Sequence, residues 1–200
     1  MFNISLFGGD SLDELTDKQL ADKVRGWNKQ AFEKIYDRWS KRIYNYVRLL
    51  LNYNDEDATA ILSDVFIKLY DVMQTKEITN VKSFIYTIAR NKSIDLIRGS
   101  KSTNMYEYDD EKLDLERDKS IWQEEELDRD YKQRLLKKYL NMLEEKYREV
   151  IYLYYYEEKD YNEIAELMWS SKNSIWTLVF QAKKRLQSMM DKDNVKYLFI

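Results

Sequence analysis

The 200 residues of this chain allow one large domain or two small ones. No proline and only 4 glycines leave few of the tight turns that all-β folds need, so helices are favoured. With no cysteine and no histidine, disulfides, thiol nucleophiles, imidazole bases and nearly all zinc sites are excluded chemically, so neither enzymatic activity nor a cofactor is expected. A magnesium site built from carboxylates alone would need a tight acidic motif, and none stands out among the 36 acidic residues. The net charge of −3 averages over regions of opposite sign.

The opening MFNISLFGGD has neither a basic start nor a long apolar run, so no signal peptide or membrane insertion is expected, and the chain is placed in the cytoplasm. Apolar residues at helical spacing through Ala31, Phe32, Ile35 and Tyr36, then Ile43, Tyr46, Val47 and Leu50, predict two amphipathic helices or one long bent one. A further helix is predicted over 57–73, with Ile61, Val65, Leu69 and Val72 as its stripe and Leu62, Phe66 and Tyr70 beside it. The next is expected over 82–98 and to stop at Gly99, where a left-handed residue would end it.

This last helix is basic: residues 81–101 hold five bases against one acid. Ser83, Thr87, Arg90, Ile94, Arg98 and Lys101 share an arc of about 80°, opposite Phe84, Ile85, Ile88, Ala89 and Leu96. A first domain is thus expected to close near residue 101. Residues 102–130, with twelve acids against four bases, predict an acidic linker. Helical spacing resumes through Leu135, Leu136, Tyr139, Leu140 and Leu143, then Val150, Ile151, Leu153 and Tyr154. Two more helices, over 161–168 and 172–189, complete a second small helical domain, so the expected class is all-α with two domains.

The stretch YNEIAELMWSSKNSIWTLVF, 161–180, has helix-turn-helix spacing. Ala165 stands where two helices approach closely, and Ile164, Met168 and Ile175 point inward. In the second helix Ile175, Leu178, Val179, Ala182 and Leu186 form the buried stripe, while Asn173, Thr177, Gln181 and Lys184 lie within about 80° of one another at about 100° per residue. Amides can read base edges and lysines hold phosphates, as a helix in the major groove requires. Residues 172–187 carry four bases and no acid, against the competing reading of an ordinary helical hairpin with a solvated face.

SFIYTIARNKSIDLIRGSK (83–101) resembles the −10-recognition helix of RNA polymerase sigma factors of the extracytoplasmic-function type. DATAILSDVFIKLY (57–70) is similar to their helix for the β′ clamp helices, and LEEKYREVIYLYYYEEKDYNEIAEL (143–167) to the start of their −35-binding domain. The resemblance covers 17–101 and 131–188. It implies a dissociable subunit that binds core RNA polymerase through the β′ clamp helices and β flap, recognises promoter DNA and directs transcription initiation, with room for an anti-sigma factor as a mask. The implied domains are a region 2-like unit, 17–101, the linker, 102–130, and a region 4-like unit, 131–190.

By position, the resemblance implies that Asp57, Asp64, Phe66, Leu69 and Tyr70 face the polymerase. Asn80, Lys82, Ser83, Arg90, Asn91 and Arg98 would lie near the −10 element, and Ser171, Lys172, Asn173, Ser174, Thr177, Gln181 and Lys184 at the −35 element. The acidic linker would pass near the channel for single-stranded nucleic acid and mimic its phosphates. Ala60 and Ser63 replace the family's usual acid and amide, and Leu143-Glu144 lacks its common proline. Two competing readings remain: a stand-alone helix-turn-helix regulator, which leaves 57–101 unused, and a helical interaction protein without a DNA role.

The turn of a helix-turn-helix often needs a positive φ, which suits glycine and not tryptophan. Trp169 occupies that place here; Trp27 stands where the family has glycine, and Trp176 where a subset has it. Either these codons are UGA read as glycine, or the tryptophans are genuine and the turn at Trp169 is strained or rearranged. UGG codons at 27, 169 and 176 exclude the first explanation.

Overall fold

The computed structural model describes residues 12–101, 136 and 138–193, and all regular structure among them is helical. The chain divides between Asp95 and Leu96 into two compact units. The first holds α1 (Asp17–Arg25), α2 (Lys29–Leu50), α3 (Asp55–Thr75) and most of α4 (Val81–Lys101). In the second, 138–142 are helical, followed by α5 (Glu145–Tyr155), α6 (Tyr161–Leu167) and α7 (Lys172–Lys192).

Polar side chains start the helices of the first unit. Thr16 and Gln19 form a reciprocal capping box on α1, and Asn28 accepts the Ala31 N–H at 3.0 Å to cap α2. Asn54 caps α3 by accepting the Asp57 N–H at 3.1 Å, and Asn80 accepts the Ser83 N–H at 2.9 Å at the head of α4. Asp55, Glu56 and Asp57 occupy the first turn of α3, where the helix dipole favours negative charge.

The two alternatives for 31–50 resolve as one helix of 22 residues, with Ala31, Ile35, Trp39, Ile43, Tyr46, Val47 and Leu50 along its buried side. Ala58, Ile61, Val65, Phe66, Leu69 and Met73 of α3 are buried, whereas Val72 is half-buried. In α4 the buried residues are Val81, Ile85, Tyr86, Ala89 and Ser93. Phe84, Ile88 and Leu96, expected in the core, are only half-buried. Tyr86 takes their place, with its ring 5.1 Å from that of Tyr46 and 6.4 Å from that of Trp39.

One expectation is corrected outright. The fourth helix does not stop at Gly99 but runs on to Lys101, and no glycine among the described residues has positive φ. Glycine permits a left-handed stop without demanding one; inside a helix it costs about 1 kcal/mol relative to alanine, which the flanking turns tolerate. The expectation of an acidic linker over 102–130 lies outside the described residues.

Trp27 and Trp169 have φ of 65° and 53°, each at the first residue past a helix C-cap. After α1, the Trp27 N–H donates to the Val24 carbonyl at 2.9 Å and the Asn28 N–H to that of Lys23 at 3.1 Å. After α6, the Trp169 N–H donates to the Glu166 carbonyl at 3.3 Å and the Ser170 N–H to that of Ala165 at 2.9 Å. Both are Schellman motifs, whose left-handed residue is usually glycine. The two side chains are 74% and 76% exposed, so little packing offsets the strain.

Trp39 is different: it is buried, and its indole N–H donates to Asp17 at 3.0 Å. Trp176 differs from Trp27 and Trp169: it lies inside α7 without positive φ, so its backbone does not call for glycine.

Trp27→Gly and Trp169→Gly should each stabilise the protein by about 1 kcal/mol, the left-handed penalty of an L-residue less the greater backbone entropy of glycine. Denaturant unfolding checks this, and unchanged or lowered midpoints contradict it. UGA codons at 27 and 169 would mean that the native chain already carries the relaxed residues.

Candidate nucleic-acid interface

In the second unit, Asp160 sets the start of α6. Its carboxylate accepts the N–H groups of Glu163 at 2.9 Å and Asn162 at 2.7 Å, and the Glu163 side chain accepts the Asp160 N–H at 3.0 Å. The Glu163 N–H first, then that of Asn162, hold the Asp160 carboxyl below its ordinary value. Ile164, Ala165 and Leu167 are buried, and the chain reverses through Trp169 to Ser171. The Ser171 hydroxyl accepts the Ser174 N–H at 3.2 Å and opens α7.

Helix α7 buries Ile175, Val179, Ala182 and Met190, with Leu178 and Leu186 half-buried. Ser171, Lys172, Asn173, Ser174, Thr177, Gln181 and Lys184 are all exposed. Several also have local work. The Ser171 and Ser174 hydroxyls lie 2.8 Å apart, and Thr177 donates its hydroxyl to the Asn173 carbonyl at 3.0 Å. Gln181 accepts the Tyr147 hydroxyl at 3.1 Å, which leaves its amide NH2 to donate outward. Arg185 bends back to Glu144 at 2.8 Å and over the Tyr147 ring at 4.4 Å. Trp176 and Phe180, each 56% exposed, are surface residues of α7 that reasoning on polar spacing passed over; their four-residue separation was the available signal.

On α4, Asn91 and Arg98 are exposed, and Lys82, Ser83 and Arg90 half-buried. Asn80 is exposed and spends its side-chain oxygen on the Ser83 N–H. Lys92 reaches across to Asp64 of α3 at 2.7 Å.

The α3 residues separate into two groups. Asp64 is exposed, while Asp57 and Tyr70 are half-buried. Asp57 accepts the Asn54 amide at 2.8 Å, and the Tyr70 ring stands edge-on to Phe32 at 4.9 Å. Phe66 and Leu69, expected to face a partner, are 4% and 0% exposed. They share the inward stripe with Ile61, Val65 and Met73, so they support this surface instead of forming it. Ile67, 62% exposed, is the apolar residue that α3 does present.

Among the described residues no His, Cys, Asp and Glu cluster could hold a metal, and no helix is long and apolar enough to cross a membrane. The capped helix-turn-helix, whose exposed second helix carries no acid from 172 to 187, together with a separate helical unit and a basic helix, defines a class of DNA-binding protein.

The sigma-70 region 2 family matches residues 35–103, and the sigma-70 region 4 family residues 133–186. Together they span more than half of the chain. Curated relatives include the extracytoplasmic-function sigma factor SigM of Bacillus subtilis (strain 168), 24% identical over 162 residues, covering 81% of this chain and 96% of the relative. SigV of the same organism is 26% identical over 154 residues, covering 76% and 87%. Among solved structures, CnrH in complex with the cytosolic domain of CnrY has a TM-score of 0.63 at 18% identity, covering 88% of this chain and 98% of that one. The sigma factor RpoE in complex with the anti-sigma factor NepR from Bartonella quintana has a TM-score of 0.61 at 19% identity, covering 80% and 96%. The chain belongs to the sigma-70 family, as a sigma factor of the extracytoplasmic-function type.

The lowered Asp160 pKa implies a stabilising contribution that is present above the unfolded value near 3.8 and lost as pH falls through the lower folded value. Asp160→Asn keeps an acceptor at the cap and removes this titration. Acid unfolding of the second unit, followed by circular dichroism, should become shallower below about pH 4; an unchanged acid limb contradicts the assignment.

Proposed function

We propose that this sigma factor docks on core RNA polymerase through the outer face of α3 and the second unit, lays α4 along the −10 element and sets α7 into the major groove of the −35 element. The observation that carries the reading is α7 itself. Asn173, Thr177, Gln181 and Lys184 share one exposed face, and no acid occurs from 172 to 187. A helix of a stand-alone regulator could look the same, but that reading leaves the region 2 match at 35–103 without a role.

On this reading Lys172 and Lys184 meet phosphates, while Asn173 and the donor end of Gln181 meet base edges. On α4, Lys82, Arg90 and Arg98 follow the backbone of the −10 element, with Ser83 and Asn91 beside it. Asp57, Asp64 and Tyr70 form the polymerase-facing set, with the β′ clamp helices as partner and the β flap assigned to the second unit. The chain performs no chemistry of its own and works in the cytoplasm, where its template is. The structural relative RpoE, solved in complex with the anti-sigma factor NepR, supports an anti-sigma factor as a further partner.

Pull-down with core RNA polymerase at moderate salt tests the reading: retention is expected, and its absence favours the stand-alone regulator. Lys184→Ala should weaken binding to promoter duplex and reduce the slope of log affinity against log salt by about one. An unchanged slope contradicts the phosphate contact.

A further inference from the structure

We propose that the stacked Trp176–Phe180 pair of α7 reads thymine methyl groups in the −35 duplex. This rests on α7 being the DNA-reading helix and adds what it reads by apolar contact. The two rings lie 5.9 Å apart and 9° from parallel. They form a flat apolar slab, each member 56% exposed. They cover no core, because α7 turns Ile175, Val179 and Ala182 inward.

Position and charge select the occupant. At about 100° per residue, Phe180 and Trp176 project within about 60° of Asn173, and Phe180 lies between Trp176 and Lys184. The slab thus continues the polar face into one contact surface. Lys183, on its far side, is held over the rings of Tyr154 at 5.4 Å and Tyr155 at 5.0 Å. Lys172 and Lys184 complete a cationic surround, with no acid before Asp191 on this helix. A polyanion fits such a surround better than an ordinary protein surface does. Within the major groove the apolar group on offer is the thymine C5-methyl, while the other edge groups are hydrogen-bonding donors and acceptors. Two aromatic side chains facing duplex DNA therefore gain most where thymines lie beneath them.

The test uses the full chain bound to core RNA polymerase. Duplexes are first selected from a pool randomised across the −35 region, and the thymines of the selected sequence are then replaced singly by deoxyuridine, which lacks only the methyl. At one or two positions affinity should fall about fourfold, the worth of one buried methylene-sized group. Phe180→Ala and Trp176→Ala should lose a similar factor on the thymine duplex and cease to distinguish thymine from uracil at those positions. Phe180→Leu should keep part of the discrimination, with helix content unchanged in each variant.

If no uracil substitution matters while Lys184→Ala still weakens binding, the thymine assignment is overturned and DNA reading by α7 stands. If the complex shows no salt-dependent duplex binding, both fall together. If Phe180→Ala weakens binding to core polymerase but leaves thymine discrimination intact, the pair is a protein contact and the proposal is wrong.

Discussion

The helices of this protein must be begun and ended with almost no glycine or proline, and that constraint governs where each exposed face points. A helix leaves four N–H groups unpaired at its start and four carbonyls at its end. Here the starts are met by Thr16, Asn28, Asn54, Asp160 and Ser171. The ends of α1 and α6 close through left-handed residues that carry full side chains, Trp27 and Trp169. Other left-handed positions fall on Asn52, Tyr53 and Glu158, so strain is accepted at several corners of the fold.

The consequence is sharpest in the helix-turn-helix. Asp160 fixes the start of α6, the Trp169 turn sets its end and Ser171 sets the start of α7. With both helices so bounded, burial of Ile164, Ala165, Ile175, Val179 and Ala182 determines the rotation of α7 about its axis. The outward presentation of Asn173, Thr177, Gln181 and Lys184 follows from that packing. The electrostatics follow too: Arg185 is drawn back to Glu144 while Lys184, one residue earlier, lies on the exposed face. On the proposed reading, a change in the turn would therefore alter recognition without touching the residues assigned to DNA.

Much of this was legible in the sequence, because helical periodicity is strong where one side of a helix is buried and the other polar. That held for α7, whose stripe and exposed face separate cleanly, and for α2, whose buried side follows the spacing from Ala31 to Leu50. On α3 the spacing placed Leu69 in the stripe, where the structure buries it, whereas the positions implied by the family resemblance put Phe66 and Leu69 on the polymerase-facing side. Position in a family motif does not say which side of a helix this apolar meets the core. Gly99 misled for another reason, since a glycine's conformational freedom does not reveal whether the chain uses it. Tyr86, fully buried against Trp39 and Tyr46, had no place in the expected apolar side of α4, because its burial depends on aromatic partners from α2 that spacing along α4 does not reveal.

The central claim is that two DNA-facing helices on separate units direct polymerase to promoters. Run-off transcription with core RNA polymerase, this chain and a library of promoter duplexes tests it most directly. The account predicts discrete transcripts from a subset of templates, dependent on the chain and lost when the −35 or the −10 element is scrambled. Transcripts that are absent despite a stable complex with core polymerase, or that ignore both elements, would contradict it.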